Sequence, residues 1–382
     1  RSIWVTGVQT CALPICRLRA AAATACVICL GNSAAIADDA ATRPTPRSDQ
    51  VAPVAVPIRQ LFDVRTAMRD GVELSANVWL PEAHGKYPVI LLRTPYVKTM
   101  PEAKFPEWGA YFAARGYAFV VQDVRGRGDS DGKFNFFFQE SKDGHDSVEA
   151  LAAQLWSNGR VCMIGVSYWG TTQWLAARER PPHLVCIAPT SPAGDFLNEI
   201  PSRGGAFLMM WALGWVNVTS GKIDQMPHMT SLDWPRIYAH RPLLTMDEAM
   251  GRKMPLYREL LQHDTMDDYW RRIRFTSADF GRIEIPVLSV TGLFDGDQTG
   301  ALFYWNGLKR HGQTPPQDRF LVMGPWTHLQ SFQGGADKIG EMELSKDAFV
   351  DNKALHLAFF DRYLKRSTNY MEIGRASCRE RV

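Results

Sequence analysis

Short apolar runs alternate with helix-like stretches over most of the chain. The apolar runs, which predict buried strands, lie at 89–92, 118–122, 161–164, 184–188, 287–290 and 320–323. The helix-like stretches lie at 107–115, 144–155, 168–180, 299–310 and 346–364. Continuous apolar strands separated by helices are typical of a mostly parallel sheet with helices on both faces. The pattern therefore predicts an α/β fold, preceded by a hairpin whose arms, 62–68 and 72–80, flank Arg69-Asp70-Gly71.

Residues 195–280 interrupt this alternation. They contain eight of the fourteen methionines and four of the twelve tryptophans, in helix-like patches. Such side chains suit the adaptable wall of an apolar pocket, although packing within the segment explains any one of them equally well. We expect a helical cap insertion at 195–280, between two parts of one α/β domain at 58–194 and 281–371.

The two ends of the chain do not continue the pattern. Residues 1–15 and 372–382 resemble translated adapter DNA, and we exclude them from the fold. A short basic region, an apolar run and the small-residue site Ala35-Ile36-Ala37 predict a signal peptide at 16–37, with a disordered leader at 38–57. A low-complexity alanine-rich tail is the alternative. The expected location is periplasmic or secreted.

Removing these segments changes what the composition implies. The formal net charge of +3 resides in the arginines of the ends, and residues 38–371 alone carry −1. This balance gives no reason to expect nucleic-acid binding, and the apolar run of the predicted signal peptide is too short for stable membrane insertion. Of seven cysteines only Cys162 and Cys186 remain. We interpret both as buried thiols, because a chain of this length needs no disulfide framework.

One segment carries the signature of a nucleophile. Gly165-Val166-Ser167-Tyr168-Trp169-Gly170 lies between a predicted strand and a predicted helix. A serine between glycines at such a turn indicates a nucleophile elbow, where the bend lifts the hydroxyl out of the sheet and the helix N-terminus favours negative charge. Short motifs of this kind also occur as plain connecting turns. The hypothesis therefore needs a base and a carboxylate from elsewhere in the chain.

Candidates for both follow the last two predicted strands of the sheet. A serine hydroxyl needs a base, and the base needs a carboxylate that orients it. In α/β-hydrolases these groups follow one another in the order Ser, Asp or Glu, His. Asp295 leaves the first of the two strands, with Asp297 as its rival, and His328 leaves the second. We predict a catalytic triad of Ser167, Asp295 and His328.

An oxyanion hole needs hydrogen-bond donors aimed at the tetrahedral oxygen. We expect one donor to be the backbone N–H of Tyr168, directly after the nucleophile. The second should come from Arg93-Thr94-Pro95-Tyr96, where the Tyr96 phenol can donate, unless this tyrosine stacks in the core. The aromatic candidates for substrate binding are Trp169, Trp211, Trp215, Phe294 and Trp326.

A charged, glycine-rich loop follows the strand at 118–122. Its sequence is Arg125-Gly126-Arg127-Gly128-Asp129-Ser130-Asp131-Gly132. It is not a phosphate-binding loop, because no Gly-Lys-Ser/Thr follows. We expect its charges to pair among themselves. No cluster of His, Cys and carboxylates has the spacing of a metal site, so neither a metal nor an organic cofactor is expected.

Taken together, these motifs resemble the CocE/NonD family of serine hydrolases, which contains X-Pro dipeptidyl-peptidase and cocaine-esterase-like members. The matching segments are 93–96, 123–128, 156–159, 165–170, 294–296 and 324–328. The resemblance implies an α/β-hydrolase fold with a helical cap, and it implies the same triad and oxyanion donors. The family also has a C-terminal jelly-roll domain, before which we expect this chain to be truncated.

The expected function is hydrolysis of an ester or amide through an acyl-enzyme, with no cofactor. Acyl esters, acylamides and X-Pro peptides are the substrate classes that the resemblance implies, and an esterase or acylase is favoured over a peptidase. The expected partner is thus a small molecule or short peptide. Two alternatives are a non-catalytic binding protein with this fold and an inactive truncated fragment.

Overall fold

The computed structural model of the protein describes residues 57–367. Its strands are β1 (Ile58–Ala67), β2 (Glu73–Pro81), β3 (Tyr87–Thr94), β4 (Ala118–Asp123), β5 (Ser157–Val166), β6 (Leu184–Thr190), β7 (Ser202–Arg203), β8 (Ala206–Phe207), β9 (Val287–Gly292), β10 (Arg319–Gly324), β11 (Lys338–Ile339) and β12 (Met342–Glu343). The predicted adapter-like ends and signal peptide, and the predicted leader apart from residue 57, lie outside the described residues.

Helices follow most of the sheet strands. They are α1 (Phe105–Ala113), α2 (Glu140–Ala152), α3 (Tyr168–Arg178), α4 (Phe196–Glu199), α5 (Met209–Thr219), α6 (Trp234–Ala239), α7 (Met246–Ala249), α8 (Pro255–Gln262), α9 (Asp268–Arg271), α10 (Ser277–Phe280), α11 (Gln298–His311), α12 (Gln330–Gln333) and α13 (Asn352–Tyr363). Of the helices between residues 57 and 367, none has both the length and the apolar character needed to cross a membrane.

The central sheet has eight strands in the order β1-β2-β4-β3-β5-β6-β9-β10. The six strands from β4 to β10 run parallel, whereas β2 pairs antiparallel with both β1 and β4. Every residue of β4 and β9 is buried, as expected of strands covered on both faces, while the edge strand β10 is mostly half-buried. The predicted α/β class, with a hairpin before a mostly parallel sheet, is confirmed.

The segment at 196–280, here called the cap, contains α4 to α10 and the short hairpin of β7 and β8. Its α-helices have four to eleven residues, and side chains cap the starts of α6, α9 and α10. Thr276 and Asp279 form a capping box at α10, and the Asp267 side chain accepts the backbone N–H groups of Tyr269 and Trp270 at α9.

The last predicted helix, at 346–364, begins later in the structure. The α-helix α13 starts at Asn352, because the Asp351 side chain accepts the Ala354 backbone N–H at 2.9 Å and caps the helix there. Residues Lys346–Ala348 form a separate 3-10 turn. Hydropathy alone does not distinguish these two segments.

Cys162 and Cys186 form a disulfide between the neighbouring strands β5 and β6. The two residues are register partners in the parallel ladder, with Cα atoms 4.7 Å apart. The interpretation of both as buried free thiols is therefore wrong about their chemical state. The apolar neighbours of each cysteine indicate burial, but the register of two strands 24 residues apart in sequence is not visible in them.

A buried polar network lies behind the turn at Ser167. Arg93 donates to Glu140 at 2.6 Å and to the Gln122 side chain at 2.9 Å. The Tyr168 hydroxyl lies 2.9 Å from the other Glu140 oxygen. Because the Arg93 and Glu140 side chains are 0% and 3% exposed, each needs the other to remain charged in the core.

Removing one partner of this buried ion pair should strongly destabilise the fold. We expect Arg93→Met to cost about 3–5 kcal/mol in the free energy of unfolding, measured in urea, because Glu140 is left buried without its cation. Arg271→Met is the matched control, since it removes an exposed ion pair with Asp268 and should cost under about 1 kcal/mol. An equal cost for the two variants would contradict this assignment.

Candidate active site

Ser167 lies at the sharp turn between β5 and α3, in a conformation that few non-glycine residues adopt. Its φ is 61° and its ψ is −128°. Such a conformation costs about 1–3 kcal/mol and persists only where the surroundings impose it. Here the Ser167 N–H donates to Thr190 O at 3.0 Å, and the Ser167 carbonyl accepts the N–H groups of Gly170 and Thr171. Strand β6 and the first turn of α3 thus hold the serine.

The two glycines around the serine are required by this packing. A Cβ at Gly165, where φ is 144°, would lie 2.4 Å from the Trp169 Cβ, and a Cβ at Gly170 would lie 2.7 Å from Thr190 O. Larger residues at either position would push α3 away from the sheet. The close approach of helix and strand that lifts Ser167 to the sheet edge therefore depends on glycine.

His328 and Asp295 meet at the same edge of the sheet. The parallel register pairs Gly292 with Gly324 at the ends of β9 and β10, so the two exit loops leave side by side. The His328 Nδ1 lies 2.8 Å from Asp295 Oδ1 and 3.9 Å from Asp297 Oδ2. The Asp295 residue is 8% exposed. Of the two carboxylates weighed from the sequence, the hydrogen bond goes to Asp295.

Three carboxyl groups set the electrostatics around His328. Burial disfavours its imidazolium, but Asp297 and Asp295 outweigh burial and raise the pKa of His328 to about 9. Burial raises the pKa of Asp297 to about 6 and that of Glu199 to about 8. Burial also acts to raise the pKa of Asp295, but the hydrogen bond from His328 prevails and lowers it.

A chain of hydrogen bonds connects the serine turn to the histidine loop. Thr190, which accepts the Ser167 N–H, is followed by Ser191, whose hydroxyl lies 2.8 Å from the Ser331 hydroxyl. Ser331 in turn donates to the His328 carbonyl at 2.6 Å. Among the hydrogen bonds of residues 57–367, none joins the Ser167 hydroxyl to the imidazole directly.

The Tyr96 hydroxyl interacts with the Ser167 side chain. Its hydroxyl oxygen accepts a hydrogen bond from the Trp215 indole at 2.9 Å. Burial raises the pKa of Tyr96 to about 12, although hydrogen bonds with Trp215 and Ser167 lower it. As the first residue of α3, Tyr168 has no acceptor for its backbone N–H within the helix. Both predicted oxyanion donors are therefore close to Ser167.

The aromatic residues predicted to bind substrate divide into two groups. Trp211 and Trp215 stack in the cap with ring centres 5.6 Å apart and are half-buried, and Phe294 is 50% exposed. Trp326, in contrast, is 1% exposed and donates its indole N–H to Ala348 O. Trp169 is also buried, between Tyr96 and Phe105. Because both side chains are buried, they offer a ligand far less surface than Trp211, Trp215 and Phe294 do, and their role in substrate binding stays a prediction.

The charged loop after β4 also differs from its predicted structure. Arg125 binds Asp143 and Asp70, both outside the loop, and Asp129 pairs with Lys98. Arg127 is bound by backbone carbonyls. The expectation that these charges pair among themselves is wrong, because their partners lie in segments before and after the loop.

Two groups near the site carry no signal in the sequence. Glu199 is fully buried and accepts the N–H groups of Gly194, Asp195 and Gly300, which joins the loop after β6 to the start of α11. The contact of Trp215 with Tyr96 joins residues 119 apart in sequence, and no local pattern indicates it. Within residues 57–367, no three His, Cys, Asp or Glu side chains gather so that they could hold a metal ion.

Known proteins are similar to this chain in sequence and in fold. The model of the X-Pro dipeptidyl-peptidase (S15) family matches residues 70–330. The cocaine esterase of Rhodococcus sp. (strain MB1 Bresler) is 30% identical over 327 residues, covering 80% of this chain and 55% of the esterase. An α-amino acid ester hydrolase is 24% identical, with a TM-score of 0.64 over 84% of this chain and 57% of that one. A CocE/NonD family hydrolase from Staphylococcus aureus is 22% identical, with a TM-score of 0.59 over 82% of this chain and 51% of that one. The chain therefore spans just over half the length of these relatives.

The charge on His328 can be measured directly. We expect its imidazole to titrate well above 6.5, near pH 9, because the two aspartates stabilise the charged form. The charged pair stabilises the folded protein. This stabilisation is complete below the pKa that the histidine has in the unfolded chain, and it is lost as the pH rises through about 9. The measurement is an NMR pH titration, with the resonance assigned by its absence from His328→Gln.

Asp297→Asn should lower the pKa of His328. The variant removes the negative charge that counteracts the effect of burial on the imidazolium. Asp267→Asn removes a carboxylate that pairs with His263 instead, and should leave His328 unchanged. A His328 pKa near 6.5, or one that Asp297→Asn leaves unmoved, would contradict the assignment.

Proposed function

Since the chain belongs to the X-Pro dipeptidyl-peptidase (S15) family and is a CocE/NonD-like α/β-hydrolase, we propose that it cleaves an ester or amide through an acyl-enzyme on Ser167. The observation that carries the proposal is the 2.8 Å pair of His328 and the buried Asp295, at the sheet edge that also holds Ser167. Hydrolysis of esters or peptides is the general chemistry of this family.

In the first half of the proposed reaction, the Ser167 hydroxyl attacks the substrate carbonyl. His328 Nε2 accepts the hydroxyl proton while Asp295 holds Nδ1 and stabilises the imidazolium. The Tyr96 phenol and the Tyr168 N–H donate to the oxyanion of the tetrahedral intermediate. When the intermediate collapses, the bond to the leaving group breaks and His328 returns the proton to that group.

In the second half, water attacks the acyl-enzyme. His328 takes a proton from the water, the same donors bind the second oxyanion, and Ser167 leaves with the proton from His328. The hydrogen bond between Ser167 and His328 belongs to the substrate-bound state, since catalytic hydrogen bonds in the free enzyme are often long and tighten only with substrate.

The surroundings of Ser167 favour a substrate with an apolar acyl group. The half-buried indoles of Trp211 and Trp215 and the exposed ring of Phe294 offer apolar surface beside the site. We therefore propose a small ester or acylamide, with an X-Pro peptide as the less favoured class. The relative called cocaine esterase agrees with the preference for an ester.

A periplasmic or secreted location remains part of the proposal. The Cys162–Cys186 disulfide supports it, because disulfides persist in oxidising compartments and are rare in the reducing cytosol.

Active-site labelling tests the proposal. We expect a fluorophosphonate probe to form one covalent adduct on Ser167, located by mass spectrometry of the digested protein, because an activated serine attacks phosphorus as it attacks a carbonyl. Ser167→Ala should lose both the adduct and hydrolysis of p-nitrophenyl butyrate. Ser277→Ala changes an exposed serine at the start of α10 and should retain both.

The result that favours a non-catalytic binding protein is a folded protein with no adduct and no turnover. Turnover that persists in Ser167→Ala would also overturn the proposal. A matched panel of p-nitrophenyl esters, p-nitroanilides and Xaa-Pro-p-nitroanilides then separates esterase, acylase and peptidase.

A further inference from the structure

The proposed oxyanion donor Tyr96 is bound by the cap through its functional atom. The Trp215 indole, on α5 of the cap, donates to the Tyr96 hydroxyl oxygen at 2.9 Å. Tyr96 itself lies in the loop after β3, in the α/β part of the chain. The contact therefore joins two segments that are 119 residues apart in sequence.

The direction of this hydrogen bond is fixed by chemistry. The indole nitrogen of tryptophan can only donate, whereas a phenol oxygen has one proton to donate and lone pairs that accept. The phenol of Tyr96 must therefore be the acceptor from Trp215. Its own proton is left for another acceptor, and the phenol also interacts with the Ser167 side chain.

A second connection holds the same loop to the same helix. The Arg127 guanidinium donates to Pro95 O at 2.5 Å, directly before Tyr96. It also donates to Thr219 O at 2.6 Å, at the end of α5, and to Gly221 O two residues later. Carbonyls at a helix C-terminus lack intrahelical donors and carry partial negative charge, which suits a buried cation. Arg127 is fully buried, so its guanidinium depends on these carbonyls.

The packing of Trp215 restricts its indole to this orientation. Its ring stacks on Trp211 at 5.6 Å and on Tyr168 at 6.0 Å, and the ring of Phe136 meets it edge-on at 5.5 Å. An indole enclosed in this way cannot turn its N–H elsewhere without repacking its neighbours.

We propose that Trp215 is a positioning residue that directs the Tyr96 phenol proton toward the oxyanion, so that the seated cap helix α5 completes the oxyanion hole. This inference rests on the proposed function, because it assigns Trp215 a role through Tyr96. If Trp215 were only an apolar pocket wall, its loss would weaken substrate binding and leave turnover intact.

A double-mutant cycle with Trp215→Phe and Tyr96→Phe distinguishes these roles, using p-nitrophenyl butyrate as substrate. Phenylalanine keeps an aromatic ring at 215 but removes the N–H. We expect Trp215→Phe to lower kcat about ten-fold with KM within about two-fold, and Tyr96→Phe to lower kcat about 10²–10³-fold. The double variant should be no slower than Tyr96→Phe alone, because Trp215 acts only through the phenol.

The matched control is Trp234→Phe. Trp234 is another half-buried cap tryptophan, and its indole donates to Met229 O, so the substitution removes a comparable hydrogen bond outside the site. Trp234→Phe should leave kcat unchanged. Thermal unfolding of every variant, followed by circular dichroism, shows that it is folded. If Trp215→Phe does not fold, Trp215→His and Trp215→Met replace it, and His, which can still donate an N–H, should retain the higher kcat.

Several outcomes would overturn the proposal. One is an unchanged kcat with a raised KM in Trp215→Phe. Another is a double variant in which the losses of kcat from the two substitutions multiply. If Trp215→His and Trp215→Met are used instead, an equal kcat in these two variants would also overturn it. Failure of the proposed function is visible separately, since the folded protein would then form no fluorophosphonate adduct on Ser167, or turnover would persist in Ser167→Ala.

Discussion

The parallel register of β9 and β10 is the constraint on which the site depends. Because Gly292 pairs with Gly324, the loops that leave these strands run together, and the N–H of Phe294 donates to Trp326 O at 3.0 Å. That alignment brings a buried carboxylate and an imidazole within 2.8 Å although they are 33 residues apart in sequence. A slip of one residue in the ladder would separate Asp295 from His328 without changing either strand.

The site rests on buried polar groups that are paired across elements. Glu140 binds Arg93 and Tyr168 behind the serine turn, and Glu199 collects three backbone N–H groups beside the histidine loop. Each group would be costly to bury alone, so each holds its neighbours in place. The cap contributes in the same way, since Arg127 and Trp215 connect it to the Tyr96 loop. The α/β part of the chain and the cap therefore both contribute residues that hold the site together.

Much of the fold, and candidates for the members of the site, can be predicted from sequence because their signals are local. Apolar runs and helix-like stretches are visible within short segments, and the flanking glycines indicate the turn at Ser167. What escapes sequence reasoning is pairing at a distance. The Cys162–Cys186 bond depends on strand register, the burial of Trp326 on how a loop folds back, and the partners of Arg127 on where the cap sits. The sequence favours Asp295 over Asp297 as the partner of His328, but the difference between 2.8 Å and 3.9 Å comes from the geometry of the loop.

The claim that His328, held by Asp295 and raised in pKa by its carboxylate neighbours, serves as the base is tested most directly by the pH dependence of kcat/KM. A base must be neutral to accept the serine proton, so the account predicts that kcat/KM for p-nitrophenyl butyrate rises with pH along a limb well above 6.5, near 9. In Asp297→Asn this limb should move to lower pH. A limb at or below pH 6.5, or one that does not move in that variant, would contradict the account.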